Sequence, residues 1–212
     1  MEFDRKHTEQ EDISLIDRSL QGDIKALDSL IKKHQNFIYN AALNMVSDPD
    51  VAADVTQEVL IKMLTSLVNF QHRSSFQPWL YRIVKNTFLN MKRGNYEVYP
   101  FSFQDFAHGL DNTPNVNLAD TSYSTDHALL AEEGRLSCMK DMLLCLEREQ
   151  RFIYIIGEQF GFSDLIGSQI MDISRENFRV KLHRAKTQLY SLMDSKCGLV
   201  NKSNPCRCAN KT

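Results

Sequence analysis

Basic and aromatic side chains are interleaved between Phe70 and Arg93, in a stretch that contains no acidic residue. The faces of unpaired bases stack on aromatic rings while their phosphates attract Lys and Arg, whereas a duplex hides those faces. The stretch therefore predicts capture of a nucleic-acid strand as a duplex opens. The side chains expected to make these contacts are Arg73, Phe76, Trp79, Tyr81, Arg82, Lys85, Asn86, Lys92 and Arg93.

Two of the aromatic residues also fit the core of a helix. Trp79 and Phe88 stand with Leu80 and Ile83 at helical spacing, so both the core and the strand-capturing interpretation stay open for them. Tyr81 and the polar members of the set lie further round the helix, where we expect exposed side chains.

A second basic group follows a short apolar helix and a turn at residues 172–174. In a helix-turn-helix, the second helix enters the major groove of duplex DNA. The alternative is a solvated basic surface on a core helix. The inner face is expected to consist of Phe178, Val180, Leu182, Ala185, Leu189 and Leu192. The residues expected at DNA are Ser174, Arg175, Asn177, Arg179, Lys181, Arg184 and Lys186.

Three cysteines lie in the tail KCGLVNKSNPCRCANKT. Cys197, Cys206 and Cys208 are weak candidates for a zinc site or a thiol–disulfide pair, because three thiolates lack the fourth ligand of a closed zinc site. A flexible basic extension is the favoured interpretation.

No catalytic grouping competes with these binding surfaces. The six histidines are scattered, and we find no Gly-rich phosphate loop, Ser/His/Asp set or paired-carboxylate motif. We therefore expect a binding protein that is not an enzyme and uses no cofactor.

Composition and hydrophobic spacing predict an all-α fold. The 212 residues include only eight Gly and five Pro, and few runs alternate in polarity. Asp23 and the Asp48–Pro49 pair are expected to start two helices, and Pro78 to start a third. The second helix is expected to bury Val55, Val59, Leu60, Met63, Leu64 and Leu67.

The small net charge of −2 conceals a segregation of sign along the chain. From Gly94 to about Ser124 acidic and turn-forming residues accumulate, and no apolar period is evident. We predict two small helical domains, residues 1–94 and 129–195, joined by a flexible acidic linker, 95–128. The second domain would end in the helix-turn-helix, before a basic tail at 196–212.

The same sequence predicts a cytoplasmic protein without a membrane partner. No window approaches the roughly 18 to 20 consecutive apolar residues that cross a bilayer, and the N-terminus is too charged for a signal peptide. Five cysteines, an odd number, disfavour a secreted disulfide framework.

Two long segments resemble bacterial RNA polymerase sigma factors of the extracytoplasmic-function (ECF) group. They are DVTQEVLIKMLTSLVNFQHRSSFQPWLYRIVKNTFLNMKR and, further on, REQRFIYIIGEQFGFSD with DISRENFRVKLHRAKTQL. The resemblance covers most of residues 10–193 and is most specific at 54–58 and 79–86. The Cys-bearing tail is similar to extensions of sigma-like proteins from Bacteroidetes-type bacteria.

The resemblance implies a partner for each surface. Core RNA polymerase would bind the helix face formed by Asp54, Gln57, Glu58 and Ile61. The loop and helix of residues 69–93 would recognise promoter DNA at the minus-ten element, melt it and hold the non-template single strand. The linker would thread towards the active-site cleft, and the helix-turn-helix would bind the minus-thirty-five duplex. An anti-sigma factor is a further implied partner.

Two positions depart from the family pattern. The chain has Leu146-Glu147 where Leu-Pro is common, and Ile166-Gly167-Ser168 where Glu-Ile-Ala is usual. An exposed helical Gly costs about 1 kcal/mol relative to Ala. Two rival functions stay open: a helix-turn-helix regulator that never joins polymerase, and a thiol or metal sensor acting through the C-terminal cysteines.

Overall fold

The protein is all-α, as expected, in a computed structural model that describes residues 2–70, 75–91, 102–112, 124–204 and 206, without the side chains of 2–8 and 124–131. Besides the α-helices, these ranges contain a 3₁₀ turn, Leu67–Asn69, and a π-helical turn, Ile155–Gln159. The helices within these ranges are α1 Glu2–Leu20, α2 Ile24–Val46, α3 Pro49–Ser66, α4 Phe76–Asn90, α5 Phe103–Asn112, α6 Ser124–Leu144, α7 Arg148–Tyr154, α8 Asp164–Met171 and α9 Arg175–Lys196.

Two helix starts follow the sequence prediction. The Asp23 carboxylate caps α2 by accepting hydrogen bonds from the backbone N–H groups of Lys25 and Ala26, at 3.0 and 3.1 Å. Asp48 caps α3 in the same way, and Pro49 occupies the first helical position. The missing N–H of a proline there removes no intrahelical hydrogen bond.

The third helix begins two residues earlier than the sequence predicted. Helix α4 begins at Phe76, and Pro78 lies inside its first turn. The first N–H groups of a helix have no intrahelical acceptor, so Pro78 is tolerated there as well.

Helices α1 to α4 form the first half of the core, with α2 packed along both α1 and α3. A buried polar contact joins α1 to α2: His34 Nε2 lies 3.1 Å and Lys33 Nζ 2.8 Å from Asp12 Oδ1. The larger fully buried aliphatic side chains of this half are Ile16, Leu30, Ile38, Met63 and Leu80.

The second half contains α6 to α9, and the buried Arg151 joins its helices. Its guanidinium donates to the carbonyl groups of Leu143, Leu144 and Leu146, at 2.9 to 3.0 Å. The last carbonyl groups of a helix have no intrahelical donor, so Arg151 satisfies the end of α6. A further bond of 2.5 Å reaches the carbonyl of Met45 at the end of α2.

Helix α5 lies within the segment that was expected to be an irregular linker. Ser102 and Asp105 form a reciprocal cap: Asp105 N–H donates to Ser102 Oγ at 3.0 Å, and Ser102 N–H to Asp105 Oδ2 at 3.3 Å. Phe103 and Phe106 pack against the core. The expectation that no apolar period exists between residues 94 and 124 is therefore wrong at 103–112.

The two halves pack against each other, with α8 against α4 and with α6 and α7 against α2. Four rings, Phe37, Tyr81, Phe160 and Phe162, form an aromatic cluster at this boundary. Phe37 lies 3.9 Å from Tyr81, 4.5 Å from Phe160 and 5.7 Å from Phe162, measured between ring centroids. None of the helices in the described ranges is long and apolar enough to span a lipid bilayer.

Candidate polymerase and nucleic-acid interfaces

One face of α3 presents the residues expected to bind polymerase. Asp54, Gln57, Glu58 and Ile61 are all exposed and lie three or four residues apart, so they share one side of the helix. Glu58 pairs with Lys62 at 2.5 Å, and Lys62 also donates to Thr87 of α4 at 3.2 Å. This contact connects the acidic face to the neighbouring basic helix.

Apolar side chains extend this face towards the end of the helix. Ile61 is 53% exposed, and Leu64 and Val68, which continue the line, are 36% and 71% exposed. The expected burial of Leu64 is therefore wrong. Its spacing fits the core, but the neighbouring helices pack on the side of Val59 and Met63, which are fully buried.

The aromatic residues of α4 belong largely to the core. Phe76 and Phe88 are fully buried, while Trp79 is half-buried and lies 5.2 Å from Phe70 and 5.5 Å from Phe76 between ring centroids. Phe88 is therefore a core residue, and Trp79 is partly buried against the core. A role for Phe76 in stacking on bases would require it to leave this cluster.

Tyr81 differs most from its expected place. We expected an exposed ring, but only 2% of the residue is accessible, because Phe37 and Phe162 of the aromatic cluster stack on it. Its hydroxyl accepts a hydrogen bond from Gln77 Nε2 at 3.2 Å. Burial raises the pKa of Tyr81 well above its ordinary value, so the hydroxyl stays neutral.

The polar residues of α4 lie nearer the surface. Asn86 is exposed, while Arg82 and Lys85 are half-buried. Arg82 Nε is buried and has no hydrogen-bond acceptor among the described residues. Such an unmet donor is uncommon in folded proteins. Arg73, Lys92 and Arg93 lie outside the described residues.

Helices α8 and α9 are joined by a sharp turn, and each is capped by a serine. Ser163 Oγ accepts from the N–H of Ile166 at 3.4 Å, and Ser174 Oγ from that of Asn177 at 3.1 Å. Asp172 ends α8 in the left-handed conformation, with φ at 59°. A short helix and a three-residue turn thus precede the basic helix, at the residues expected from the sequence.

The packing of α9 explains one departure from the family pattern. The fully buried Phe178 ring lies directly against Gly167, and a Cβ atom at Gly167 would overlap it. A residue larger than glycine therefore cannot occupy position 167 unless Phe178 moves. Ala185, Leu189 and Leu192 are buried as expected, whereas Val180 is 43% exposed. Val180 lies on the outer side because Phe178 and Leu182 take the inner positions.

Most basic side chains of α9 are paired with acids of the same half. Lys181 contacts Glu149 at 2.7 Å and Lys186 contacts Glu158 at 2.8 Å. The hydrogen bond from Lys186 to Glu158 raises the pKa of that lysine.

Asp164 at the start of α8 holds two more of these cations. Arg175 lies 2.9 Å and Arg179 3.2 Å from its carboxylate, and the hydrogen bond from Arg175 lowers the pKa of Asp164. Ser174, Asn177 and Arg184 are exposed. Sequence spacing placed these cations on one helix but gave no indication of their partners, which come from three other elements.

Cys197 and Cys206 of the tail lie opposite each other, and Cys208 lies outside the described residues. Within the described part of the chain, no group of three His, Cys, Asp or Glu side chains is placed to hold a metal ion.

Comparison with known proteins identifies the family of this chain. The family model for sigma-70 region 2 matches residues 30–97, which contain the α3 face and α4. The chain is 40% identical over 179 residues to the ECF RNA polymerase sigma-E factor of Haemophilus influenzae, covering 84% of this chain and 93% of that protein. It is 41% identical over 83 residues to the RNA polymerase sigma-H factor of Pseudomonas aeruginosa, covering 39% of this chain and 43% of that protein.

Solved structures agree on the fold. CnrH, in complex with the cytosolic domain of CnrY, superposes with a TM-score of 0.64 at 18% identity, covering 87% of this chain and 97% of that chain. The sigma factor RpoE of Bartonella quintana, in complex with the anti-sigma factor NepR, gives 0.53 at 17% identity, covering 81% and 98%. Because the 40% identity extends over nearly all of the Haemophilus relative, this chain belongs to the ECF family of RNA polymerase sigma factors, which are transcription initiation factors.

Proposed function

We propose that this sigma factor binds core RNA polymerase through the α3 face of Asp54, Gln57, Glu58 and Ile61. The observation that carries the proposal is the exposure of this face, where carboxylates adjoin an apolar strip that nothing in the described chain covers. Apolar anchors beside charged groups suit a partner surface that is both basic and apolar. The chain acts in the cytoplasm, without catalysing a reaction and without a cofactor.

The second part of the proposal concerns the minus-ten element. Arg82, Lys85 and Asn86, together with Arg73, Lys92 and Arg93, would contact the non-template strand beside the α3 face. Arg82 supports this role because its buried Nε has no acceptor in the described chain, and a phosphate oxygen would supply one once the side chain turns outward. Phe76, Trp79 and Tyr81 would stack on bases only after the core around them rearranges.

The third part concerns duplex DNA at the minus-thirty-five element. Helix α8, the turn and α9 would act as a helix-turn-helix, with Ser174, Arg175, Asn177, Arg179, Lys181, Arg184 and Lys186 directed to the groove and backbone. Exposed ion pairs contribute only about 0–1 kcal/mol each, so phosphates can replace Asp164 as the partner of Arg175 and Arg179. Residues 95–128 would connect the two DNA-binding parts.

An anti-sigma factor is the remaining proposed partner. The solved structures of CnrH and RpoE are both complexes with a second protein, and RpoE is bound to an anti-sigma factor. The exposed α3 face is one surface that such a protein would cover in order to exclude polymerase.

The first experiment measures binding of the purified chain to core RNA polymerase by native gel, followed by run-off transcription on promoter fragments. We expect binding and specific initiation. Asp54→Lys with Glu58→Lys should weaken binding to core at least tenfold, since two favourable contacts become repulsive, each by about 1 kcal/mol or more.

The matched control reverses two exposed carboxylates elsewhere, in Asp28→Lys with Asp194→Lys. This variant has the same change in net charge and should bind core as the unmodified chain does. Equal weakening by both variants would show a general charge effect and exclude the α3 face. If the chain ignores core but retards duplex DNA, the function is that of a helix-turn-helix regulator.

A further inference from the structure

The chain folds back on itself after α9. Cys197 N–H donates to the carbonyl of Met193 at 2.8 Å, which continues the helical hydrogen bonding by one residue. The buried Asn204 side chain then returns to this end and donates to the carbonyl groups of Asp194 and Cys197, at 2.7 and 3.1 Å. Residues 197–204 thus form a closed loop at the C-terminal end of α9.

This loop places two cysteines opposite each other. Cys197 and Cys206 are partners in an isolated parallel β-bridge, and Gly198 N–H donates to the Cys206 carbonyl at 3.0 Å. Paired residues of adjacent strands lie roughly 5 Å apart, and a disulfide joins Cα atoms about 4.4–6.8 Å apart. Side chains of directly opposed residues also leave the same side of the ladder.

We propose that Cys197 and Cys206 form an intrachain disulfide when the protein meets a peroxide. Both residues are half-buried, so an oxidant can reach them while the loop keeps them together. Disulfides of cytoplasmic proteins are usually transient and redox-responsive, which is the behaviour assigned to this pair. The modification is distinct from the polymerase and DNA contacts described above.

The reaction balances with one peroxide molecule. One thiol of the pair releases its proton, the resulting thiolate attacks a peroxide oxygen, and the O–O bond breaks with hydroxide as the leaving group. The hydroxide takes up the released proton and becomes water, while the sulfur becomes a sulfenic acid. The second thiol then attacks the sulfenic sulfur and displaces the hydroxyl group as a second water. Two electrons pass from the two sulfurs to the peroxide, and the S–S bond forms.

The remaining cysteines of the described chain are poor partners. Cys138 lies on α6 and Cys145 directly follows its last residue, so the two are about 10 Å apart along the helix axis, which exceeds the reach of a disulfide. Burial raises the pKa of the Cys145 thiol to about 11, so it stays protonated and weakly reactive.

The disulfide would fix the end of α9 to its loop. Lys196, the last residue of α9, pairs with Asp111 of α5 at 2.5 Å, so the loop adjoins the contact between α5 and α9. Oxidation would thereby restrict the motion of the C-terminal end of α9, where Lys196 contacts α5. Reduction by a thiol would release it.

Peptide mapping tests the pairing directly, because trypsin separates all five cysteines. The tail gives the peptides 197–202, 203–207 and 208–211, each with one cysteine. The full-length chain is treated with hydrogen peroxide, alkylated, digested and analysed by mass spectrometry. We expect a species that joins 197–202 to 203–207, two hydrogens lighter than the two thiol peptides together, that dithiothreitol removes.

The folded arrangement is tested by repeating the oxidation in urea. In an unfolded chain the closest pair in sequence is Cys206 and Cys208, so the link should move to 203–207 with 208–211. Asn204→Ala should slow formation of the native link, since this side chain closes the loop. Cys208→Ser and Cys145→Ser should leave the link intact, and Cys197→Ser should remove it.

Three results would overturn the proposal. They are a link between Cys206 and Cys208 in the folded chain, disulfides only between chains, and recovery of both cysteines as alkylated peptides. A circular dichroism spectrum of each variant shows whether its helices are retained, so a folding defect is recognised independently of the link.

Discussion

The residue type at position 167 is restricted by Phe178, which lies eleven residues further along the chain. The Phe178 ring fills the space that a side chain would need, so the glycine allows α8 and α9 to approach closely. Sequence alone suggested a weakened helix. In the structure, Gly167 lowers helix propensity but allows the whole Phe178 ring to be buried.

We predict that Gly167→Ala destabilises the protein although alanine is the better helix former. Overpacking of a core costs about 1–3 kcal/mol, which exceeds the roughly 1 kcal/mol gained in helix propensity. Thermal unfolding should shift downwards by a few degrees. Gly109→Ala on α5, where a Cβ atom has no neighbour within 4 Å, should leave the transition unchanged or raise it.

A double variant tests whether the loss of stability arises from overlap between position 167 and Phe178. Phe178→Leu frees space at the same contact, so the double variant Gly167→Ala with Phe178→Leu should be more stable than the sum of the two single changes predicts. Strict additivity of the changes would show that the two residues do not compete for space.

Asp12 links stability to pH. Burial alone would raise its pKa, but hydrogen bonds and charges from His34 and Lys33 outweigh burial, and the pKa lies below its ordinary value of 3.8. A carboxylate with a lowered pKa in the folded state stabilises the fold above the unfolded pKa, and this contribution disappears as the pH falls through the folded value.

We therefore expect the free energy of unfolding to fall between about pH 5 and pH 2, and to fall less steeply in Asp12→Asn. Urea unfolding at a series of pH values measures the slope. Asp28→Asn, at an exposed carboxylate of α2, should retain the slope of the unmodified chain. An unchanged slope in Asp12→Asn would exclude Asp12 as its source.

At the scale of the element, sequence predicted the helices whose ends carry strong local signals. Asp23 and Asp48 marked the starts of α2 and α3 because capping depends only on neighbouring backbone groups. Helix α5 was missed although Phe103, Phe106 and Leu110 recur at helical spacing behind a Ser102 cap. Its composition of Asn, Asp and Ser around these residues obscured a short but complete amphipathic pattern.

The sequence predicted which residue types form the binding surfaces better than it predicted which of those side chains are exposed. Charge and spacing identified the exposed α3 face, because its residues need only one helix to bring them together. Tyr81 was misplaced because its neighbours, Phe37 and Phe162, come from distant parts of the chain. Burial by tertiary packing leaves no local signal, so an aromatic residue between basic ones fits either interpretation.

Helix α9 allows a prediction about duplex binding. Asp164→Asn removes the carboxylate that holds Arg175 and Arg179, so both cations become available to phosphates. Affinity for duplex DNA should rise several-fold, and its dependence on salt should steepen by up to about two units of slope.

Asp172→Asn provides the matched control for charge. It removes the same charge from the far end of α8, where asparagine tolerates the left-handed conformation. Affinity measured over a salt series should change little for this variant. A similar rise in both variants would mean that net charge, and not the release of two arginines, determines binding.

At the scale of the whole molecule, both halves share one continuous core. We predict that Phe37→Ala loosens the boundary between them, because Phe37 contacts the other three rings of the aromatic cluster. The loss should be about 3 kcal/mol. Small-angle scattering should show a radius of gyration above the roughly 17 Å expected for a compact chain of this length.

Phe70→Ala is the appropriate control, since Phe70 packs on Phe76 and Trp79 within the first half. It should lower stability without enlarging the molecule. If both variants remain compact, the aromatic cluster does not determine how the halves sit together.

The four rings also make the two ends of the molecule interdependent. Tyr81 belongs to the helix proposed for strand capture, while Phe162 immediately precedes Ser163, the cap of α8. A ligand that requires the rings to separate binds with its intrinsic affinity multiplied by the fraction of molecules already open. If binding to polymerase separates the halves, that fraction rises, and a promoter is then bound tightly only by molecules that already carry the enzyme needed to transcribe it.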